Sequence, residues 1–437
     1  MQGPVVRYVS TRARSAEGVS FEEAVLAGLA PDGGLYLPDD LPAAPPGWEV
    51  SRDPAELASL ALAPYLGMER TEAEAAFRAA LDFPLPMVDL GDDLYVLELF
   101  HGPTAAFKDV GARSMASLME RLLTDSGRRA TVLVATSGDT GGAVADAFAG
   151  LGSVDVAVLF PRGQVSDVQE DQLTAVRPGV TAYAVEGTFD DCQRMLKEVL
   201  ADPDMSGRHL STANSINIAR LLPQVVYYLL ASARLREAGE TRAPTFVVPS
   251  GNLGNLTAGL LAARIGGFSA GFVAAHNAND YFARFLSGAA EPYAFDASVR
   301  TLSNAMDVGG PSNFERLWAL WGDDLRRMVR GHVVGDEATL ARISRAWSEL
   351  GYLACPHTAV GLEAASRERS AGMAGPIVVL GTAHPAKFPD TVRRATGVEP
   401  PSHPGLERFR TAAKRSTPLP ADASDLKRAL LADFRSG

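Results

Sequence analysis

Short apolar runs and Gly-rich corners alternate through the middle of this chain. TVLVAT (131–136) leads into SGDTGGAVADAFAGLG, and VDVAVLFP (154–161) follows it. TFVVPSGNLGNLTAGLLAARIGG, from Thr245, leads to GFVAAHN, and GPIVVLGTAHPAKFPDTVRRATG, from Gly375, comes near the end. Each unit is a continuous apolar run, a turn of small residues and then a helical pattern, which predicts buried parallel strands. The expected fold class is α/β with open, mostly parallel sheets and ligands at the carboxyl ends of the strands.

The front of the chain reads differently. Ser20 followed by Glu23 forms a capping box that starts a helix, and APDGG (30–34) stops it. DPAELASLALAPYLG and TEAEAAFRAAL repeat an amphipathic helical pattern before strand character begins near DLYVLELF. Residues 1–95 are therefore expected to form a mainly helical N-terminal domain. The tail from Pro400 is turn-rich with a short closing helix.

Composition narrows the function classes. A chain of 437 residues is too long for one typical core, so two or three domains are expected. With 46% hydrophobic and 21% charged residues it has the balance of a globular enzyme. The net charge of −11, without a basic block, argues against a nucleic-acid partner. No apolar run approaches the length of a membrane span, and the first residues lack a signal-peptide core, so no membrane partner is expected. Cys192 and Cys355 are the two cysteines, far apart and without metal-like spacing, which suits a reducing cytoplasm; a cytoplasmic location is expected and no metal site.

The basic residues are unequal. Of the 41, only five are lysines, and one of these, Lys108, sits in FHGPTAAFKDVG (100–111). An arginine stays protonated and binds anions as a fork, whereas a lysine in a dry or cationic pocket can become a nucleophilic amine and form a Schiff base. Lys387, in TAHPAKFPD, is the rival for that role. Lys108 is preferred because a small-residue corner opens a helix there, and a helix N-terminus favours a neutral amine. The corner PSGNLGN (249–255) can converge backbone N–H groups on a phosphate at a helix start, or be only a structural turn. It matches neither the Walker A loop nor G-x-G-x-x-G. ATSGDTGGAV (135–144) is a second such corner, in which Ser137, Asp139 and Thr140 either face a ligand or cap the next helix. Arg162 and Gln169 follow another strand, TLSNAMDVGGPSNFERL and STANSINIARLLPQ are Asn-rich turns, and His357 is a crevice candidate. A lone amine, an anion cradle and the hydroxyl of Thr382 after a last strand form the set that pyridoxal phosphate needs. A Thr partner leaves the ring nitrogen largely unprotonated, which favours elimination and replacement over transamination.

These motifs, in this order, resemble those of threonine synthases, in the longer subgroup with an N-terminal domain. YVSTR, EAVLAGLAPDGGLYLP, ELFHGPTAAFKDVG, ATSGDTGGAV, FPRGQVSDVQEDQLT, NSINIARLLPQ, VPSGNLGN, TLSNAMDVGGPSNFERL, CPHTAVG and TAHPAKFP carry the likeness across almost the whole chain. The resemblance implies a fold type II pyridoxal-phosphate enzyme, similar to the tryptophan synthase β subunit. It implies a large α/β domain (96–112 and 213–400), a small mobile one (113–212) and a C-terminal extension (401–437). It further implies Lys108 as the Schiff-base and catalytic lysine, and Gly251, Asn252, Leu253, Gly254 and Asn255 around the cofactor phosphate. Thr382 would face the ring nitrogen and Asp139 the cofactor's O3′ side, while Ser137, Thr140, Arg162, Asn214 and Arg220 would hold substrate. The implied reaction takes O-phospho-L-homoserine and water to L-threonine and phosphate, in a monomer or homodimer. Two departures stand out: Leu253 occupies a position where the family commonly has Phe, and STRARSAEG is less Gly-rich than usual. The alternatives are a related lyase or phospholyase of the same fold, or a non-catalytic cofactor-binding homologue.

Overall fold

The apolar runs become the strands of two separate parallel sheets, described by a computed structural model that covers residues 6–14 and 17–434. In chain order the strands are β1 (Tyr8–Ser10), β2 (Tyr36–Pro38), β3 (Met87–Asp89), β4 (Leu94–Glu98), β5 (Ala130–Ala135), β6 (Val154–Pro161) and β7 (Val180–Glu186). They continue with β8 (Leu210–Thr212), β9 (Thr245–Pro249), β10 (Gly271–His276), β11 (Val329–Val333), β12 (Ile377–Gly381) and β13 (Thr417–Pro420). The larger sheet has the order β11-β10-β9-β12-β4-β3 and the smaller β13-β7-β6-β5-β8. Every pairing in them is parallel except that of β3 with β4.

The N-terminal region is built as its caps direct. Ser20 Oγ accepts from Glu23 N–H and Glu23 Oε2 accepts from Ser20 N–H, the reciprocal pair of a capping box. Asp53 caps the helix Pro54–Leu66, which has Pro at its first position. Beside these helices lies a two-stranded antiparallel ribbon, β1 with β2, which the helical reading of the front did not include. Each strand is only three residues long and buried at every position, so it leaves no alternating pattern to read.

Tertiary pairing redraws the outlines expected from sequence. β3 and β4 join the larger sheet from Met87 onward, so the change to strands begins ahead of residue 95. The helix Lys108–Ser126 runs unbroken across position 112 and leads from the larger sheet into the smaller. Residues beyond 400 also join the smaller sheet, because β13 pairs with β7 in parallel. The last helix, Ala423–Asp433, buries Leu426 and Leu430 in the cluster that includes Met195, Leu196 and Val199 of the helix Phe189–Leu200.

The larger sheet's core is aromatic at its heart. Tyr228, Phe246 and Phe272 pack together, with centroids 5.0 Å apart for the first pair and 5.8 Å for the second. Each such buried ring contributes about 1.5–3 kcal/mol by leaving water. The helix Gly254–Gly266 lies directly on them. A Cβ on Gly259 would come within 2.7 Å of Tyr228 Cζ, so only glycine permits that approach.

One buried arginine ties the N-terminal region to this frame. Arg316, in the helix Phe314–Trp321, is 0% exposed. It donates to the Tyr36 carbonyl at 3.1 Å, the Ser215 carbonyl at 3.0 Å and Asn313 Oδ1 at 2.7 Å, and also to the Ile216 carbonyl. Burial lowers its pKa to about 9. Among the described residues no helix is long and apolar enough to cross a membrane. Substituting Arg316→Met leaves those acceptors buried without donors and is expected to cost about 3 kcal/mol or more. A urea midpoint unchanged from wild type would show that these bonds do not hold the frame.

Candidate active site

The corner FHGPTAAFKDVG is pinned to the end of β12. Phe107 N–H donates to the Thr382 carbonyl at 2.9 Å, His384 N–H donates to the Ala105 carbonyl at 3.0 Å, and Ala106 bridges to Ala383. Inside the corner, Thr104 N–H and Oγ1 donate to the Asp109 carboxylate at 2.8 and 2.6 Å. Asp109 lies in the first turn of the helix Lys108–Ser126, and burial raises its pKa to about 6. The knuckle sets Lys108 at the helix start, near Thr382, on the wall of a cavity that Gly251, Asn255, Asp139 and His357 also line.

Among the described residues the Lys108 amine makes no hydrogen bond or ion pair; it lies 5.7 Å from the centroid of the Phe107 ring. Burial pushes its pKa down from 10.5 to about 8, with Asp139 opposing the shift and Lys387 and Arg220 adding to it. The amine is thus partly neutral near physiological pH.

Across the cavity, PSGNLGN carries the chain from β9 into the helix Gly254–Gly266. The N–H groups of Gly254, Asn255 and Leu256 open that helix and have no acceptor within it. Gly251 has no room for a side chain, since a Cβ would lie 2.8 Å from Met306 Cα. Leu253 is held at φ 60°, a left-handed conformation unusual for a leucine. Asn252 anchors the turn by donating to Ser215 Oγ at 2.7 Å and accepting from Ser312 N–H at 2.5 Å. Asn255 Oδ1 accepts from Tyr227 and Tyr228 hydroxyls at 2.6 and 2.7 Å, which fixes the amide's orientation. Its Nδ2 is then buried without a partner among the described residues. An orphaned donor beside free helix-start N–H groups is a cradle for an anion.

Electrostatics on the third wall turn on Lys387. It is 0% exposed, pairs with Asp139 at 2.7 Å and donates to the Thr104 carbonyl at 3.1 Å. Burial alone would raise Asp139, but Lys387, Lys108 and His357 outweigh it and hold the carboxyl well below its usual range. Gln169 Nε2 donates to Asp139 at 3.0 Å. His357 Nε2 accepts from Ala305 N–H at 3.1 Å, and burial lowers its pKa to about 4, so the ring is neutral.

The other expected residues divide. Ser137 and Thr140 line the cavity with hydroxyls that have no partner among the described residues, while Thr136 Oγ1 serves the helix start, accepting from Gly138 and Gly141 N–H at 2.9 Å each. Thr382 also lines the cavity, and its hydroxyl has no partner among the described residues. Asn214 lines the cavity, but its side chain is committed to β5: Nδ2 donates to the Ala135 carbonyl at 2.7 Å and Oδ1 accepts from Ala135 N–H at 3.0 Å. Arg220 is buried on the wall with its Nε unpartnered, and burial lowers its pKa to about 10. Arg162 stands apart from the cavity, exposed after β6 and paired with Glu186 at 3.5 Å. Sequence reasoning missed Lys197 and Gln193, whose spacing on an amphipathic helix gave the only clue to a shared face.

The model of the family described as pyridoxal-phosphate dependent enzyme matches residues 83–383, that of the threonine synthase N terminus residues 7–74, and that of the threonine synthase C-terminal region residues 358–430. A threonine synthase of Escherichia coli is 40% identical over 424 residues, 95% of this chain and 97% of its own length. One from Serratia marcescens is 39% identical over 427 residues, with the same coverage. The chain belongs to the threonine synthase family. The crystal structure of threonine synthase from Escherichia coli superposes with a TM-score of 0.90 at 38% identity, covering 98% of this chain and all of the other. The pyridoxal-phosphate-bound threonine synthase from Brucella melitensis gives 0.87 at 36% identity, covering 97% and 98%.

As a threonine synthase the chain is a pyridoxal-phosphate-dependent lyase of fold type II, acting on a small-molecule substrate. The residues present fit that cofactor: the cradle offers donors only, as a phosphate requires, and the amine opposite is unpaired. In cofactor-free protein, labelling of Lys108 by acetic anhydride is expected to rise with pH through a midpoint near 8, because only the neutral amine reacts. A midpoint near 10.5, the ordinary lysine value, would remove the burial argument.

Proposed function

We propose that this chain converts O-phospho-L-homoserine and water to L-threonine and inorganic phosphate, with Lys108 as its catalytic residue. The observation that carries the reading is the unpaired, partly neutral Lys108 facing a cavity shared with the Asn255 cradle and the free Thr382 hydroxyl. Lys108 would hold the cofactor's carbonyl carbon, the turn from Gly251 to Asn255 its phosphate and Thr382 its ring nitrogen. Asp139 would sit toward the O3′ side. Pyridoxal phosphate, when bound, supplies an electron sink that acidifies the substrate's C–H bonds.

The chain's own groups then handle protons and water. The neutral Lys108 amine takes a proton from the substrate's Cα and moves protons at Cβ and Cγ, so that phosphate leaves Cγ and hydroxide from water ends on Cβ. A pKa near 8 suits an amine that must both accept and return a proton near neutral pH. Ser137 and Thr140 supply hydroxyls that suit the substrate carboxylate. Action as a monomer or homodimer, in the cytoplasm, is part of the same proposal.

Incubation of the loaded protein with O-phospho-L-homoserine is expected to yield threonine and phosphate in equal amounts. Phosphate accompanied by a 2-oxo acid would overturn the synthase reading. Lys108→Arg keeps the positive charge but removes the amine, and is expected to abolish turnover and the bound cofactor's absorbance band; retention of both would remove Lys108 from its role. Asn255→Asp keeps the two tyrosine contacts and replaces the orphaned donor with an anion. Its affinity for pyridoxal phosphate is expected to fall about a hundredfold, measured by titration of cofactor fluorescence.

A further inference from the structure

The five lysines divide by partner. Lys387 pairs with Asp139 at 2.7 Å, Lys414 with Asp171 at 2.5 Å, and Lys427 with Asp202 at 2.6 Å. Lys108 and Lys197 have no carboxylate partner among the described residues, and both line the same cavity. Lys197 comes from the opposite side, on the helix Phe189–Leu200 that packs against the smaller sheet. Phe189, Gln193, Leu196 and Lys197 form one face of that helix and line the cavity with Val308 and Ser312 from the segment between β10 and β11. The neighbouring cation, Arg194, is already engaged by Asp191 at 3.3 Å, by Glu198 at 3.2 Å and by the Ala421 carbonyl at 2.9 Å.

Charge bookkeeping makes the position informative. The cavity's cations are Lys108, Arg220 and Lys197. Lys108 is partly neutral, and Arg220 is buried with its Nε close enough to the Lys108 helix that a Cβ on Gly111 would meet it at 3.2 Å. Lys197 is exposed and, among the described residues, without a competing anion. We infer that Lys197 binds the phosphate group of the substrate, and so selects a phosphorylated amino acid over its free alcohol; the inference rests on the substrate proposed above. On elimination the Cγ–O bond breaks with its electron pair passing to phosphate, and the pair left by the departing Cβ proton forms the Cβ–Cγ double bond. An ammonium on the phosphate oxygens stabilises the charge as it arrives there. Arg162, expected from sequence to hold substrate, is engaged elsewhere in this conformation, which leaves Lys197 as the available grip on the mouth.

The test uses full-length protein loaded with pyridoxal phosphate. Lys197→Ala is expected to weaken inorganic phosphate binding, read by calorimetry, by about ten- to a hundredfold and to raise KM for O-phospho-L-homoserine by a similar factor. Lys197→Arg should retain most of both. The Kd for L-threonine, which lacks the phosphate, should stay within about twofold, read from the cofactor's absorbance. Unchanged phosphate affinity and KM in Lys197→Ala would overturn the inference, and so would an equal loss of threonine affinity, since that would indicate a general defect. If wild-type protein fails to turn over O-phospho-L-homoserine, the proposed function fails, while phosphate calorimetry still decides the role of Lys197.

Discussion

The buried pair between Lys387 and Asp139 is the contact on which the site depends. It spans the two sheets: Lys387 follows β12 of the larger and Asp139 opens the helix after β5 of the smaller. Two charges so deeply buried are tolerated only because each has its partner and further hydrogen bonds, here from Gln169 to the carboxylate and from Lys387 to the Thr104 carbonyl. With its charge committed in this way, Asp139 pulls less on Lys108 than burial, Lys387 and Arg220 push against protonation. An amine facing a carboxylate would otherwise have its pKa raised rather than lowered.

The same knuckle that presents Lys108 to the cavity carries the Thr104 carbonyl to Lys387. Gln172 Nε2 also donates to that carbonyl, at 3.0 Å, from the smaller sheet's side. Position and proton affinity of the amine are therefore set by one piece of covalent structure. A change that loosened the corner would alter both at once.

Much of this was legible in the chain because strand, small-residue turn and helix follow one another locally. The corners at Lys108, Gly138 and Gly251 needed only neighbouring residues to be recognised, and the rarity of lysine drew attention to Lys108. What stayed hidden was non-local. Nothing around Lys387 announces that its amine is spent on Asp139, nor around Asn214 that its amide extends the edge of β5. Arg162 follows a strand in sequence yet turns outward to Glu186. The Asn-rich stretch near Thr301 reads as a plain turn, but Asp307 accepts from Thr301 and Asn277 there, bracing the loop that walls the cavity. Lys197 needed its three lysine siblings' partners to be known before its own solitude meant anything.

The late pairing of β13 with β7 bears on how the molecule is made. β7 is an internal strand of its sheet only because β13, from the far end of the chain, covers it. A ribosome releases β7 long before β13 exists, so the nascent smaller sheet carries an open parallel edge while β9 to β12 of the larger sheet are synthesised. Open edges recruit other strands. The final residues therefore act as a closing seam: a chain cut short of Thr417 would keep the residues around Lys108 and Asn255 but would expose a sticky edge in the half that bears Ser137 and Lys197.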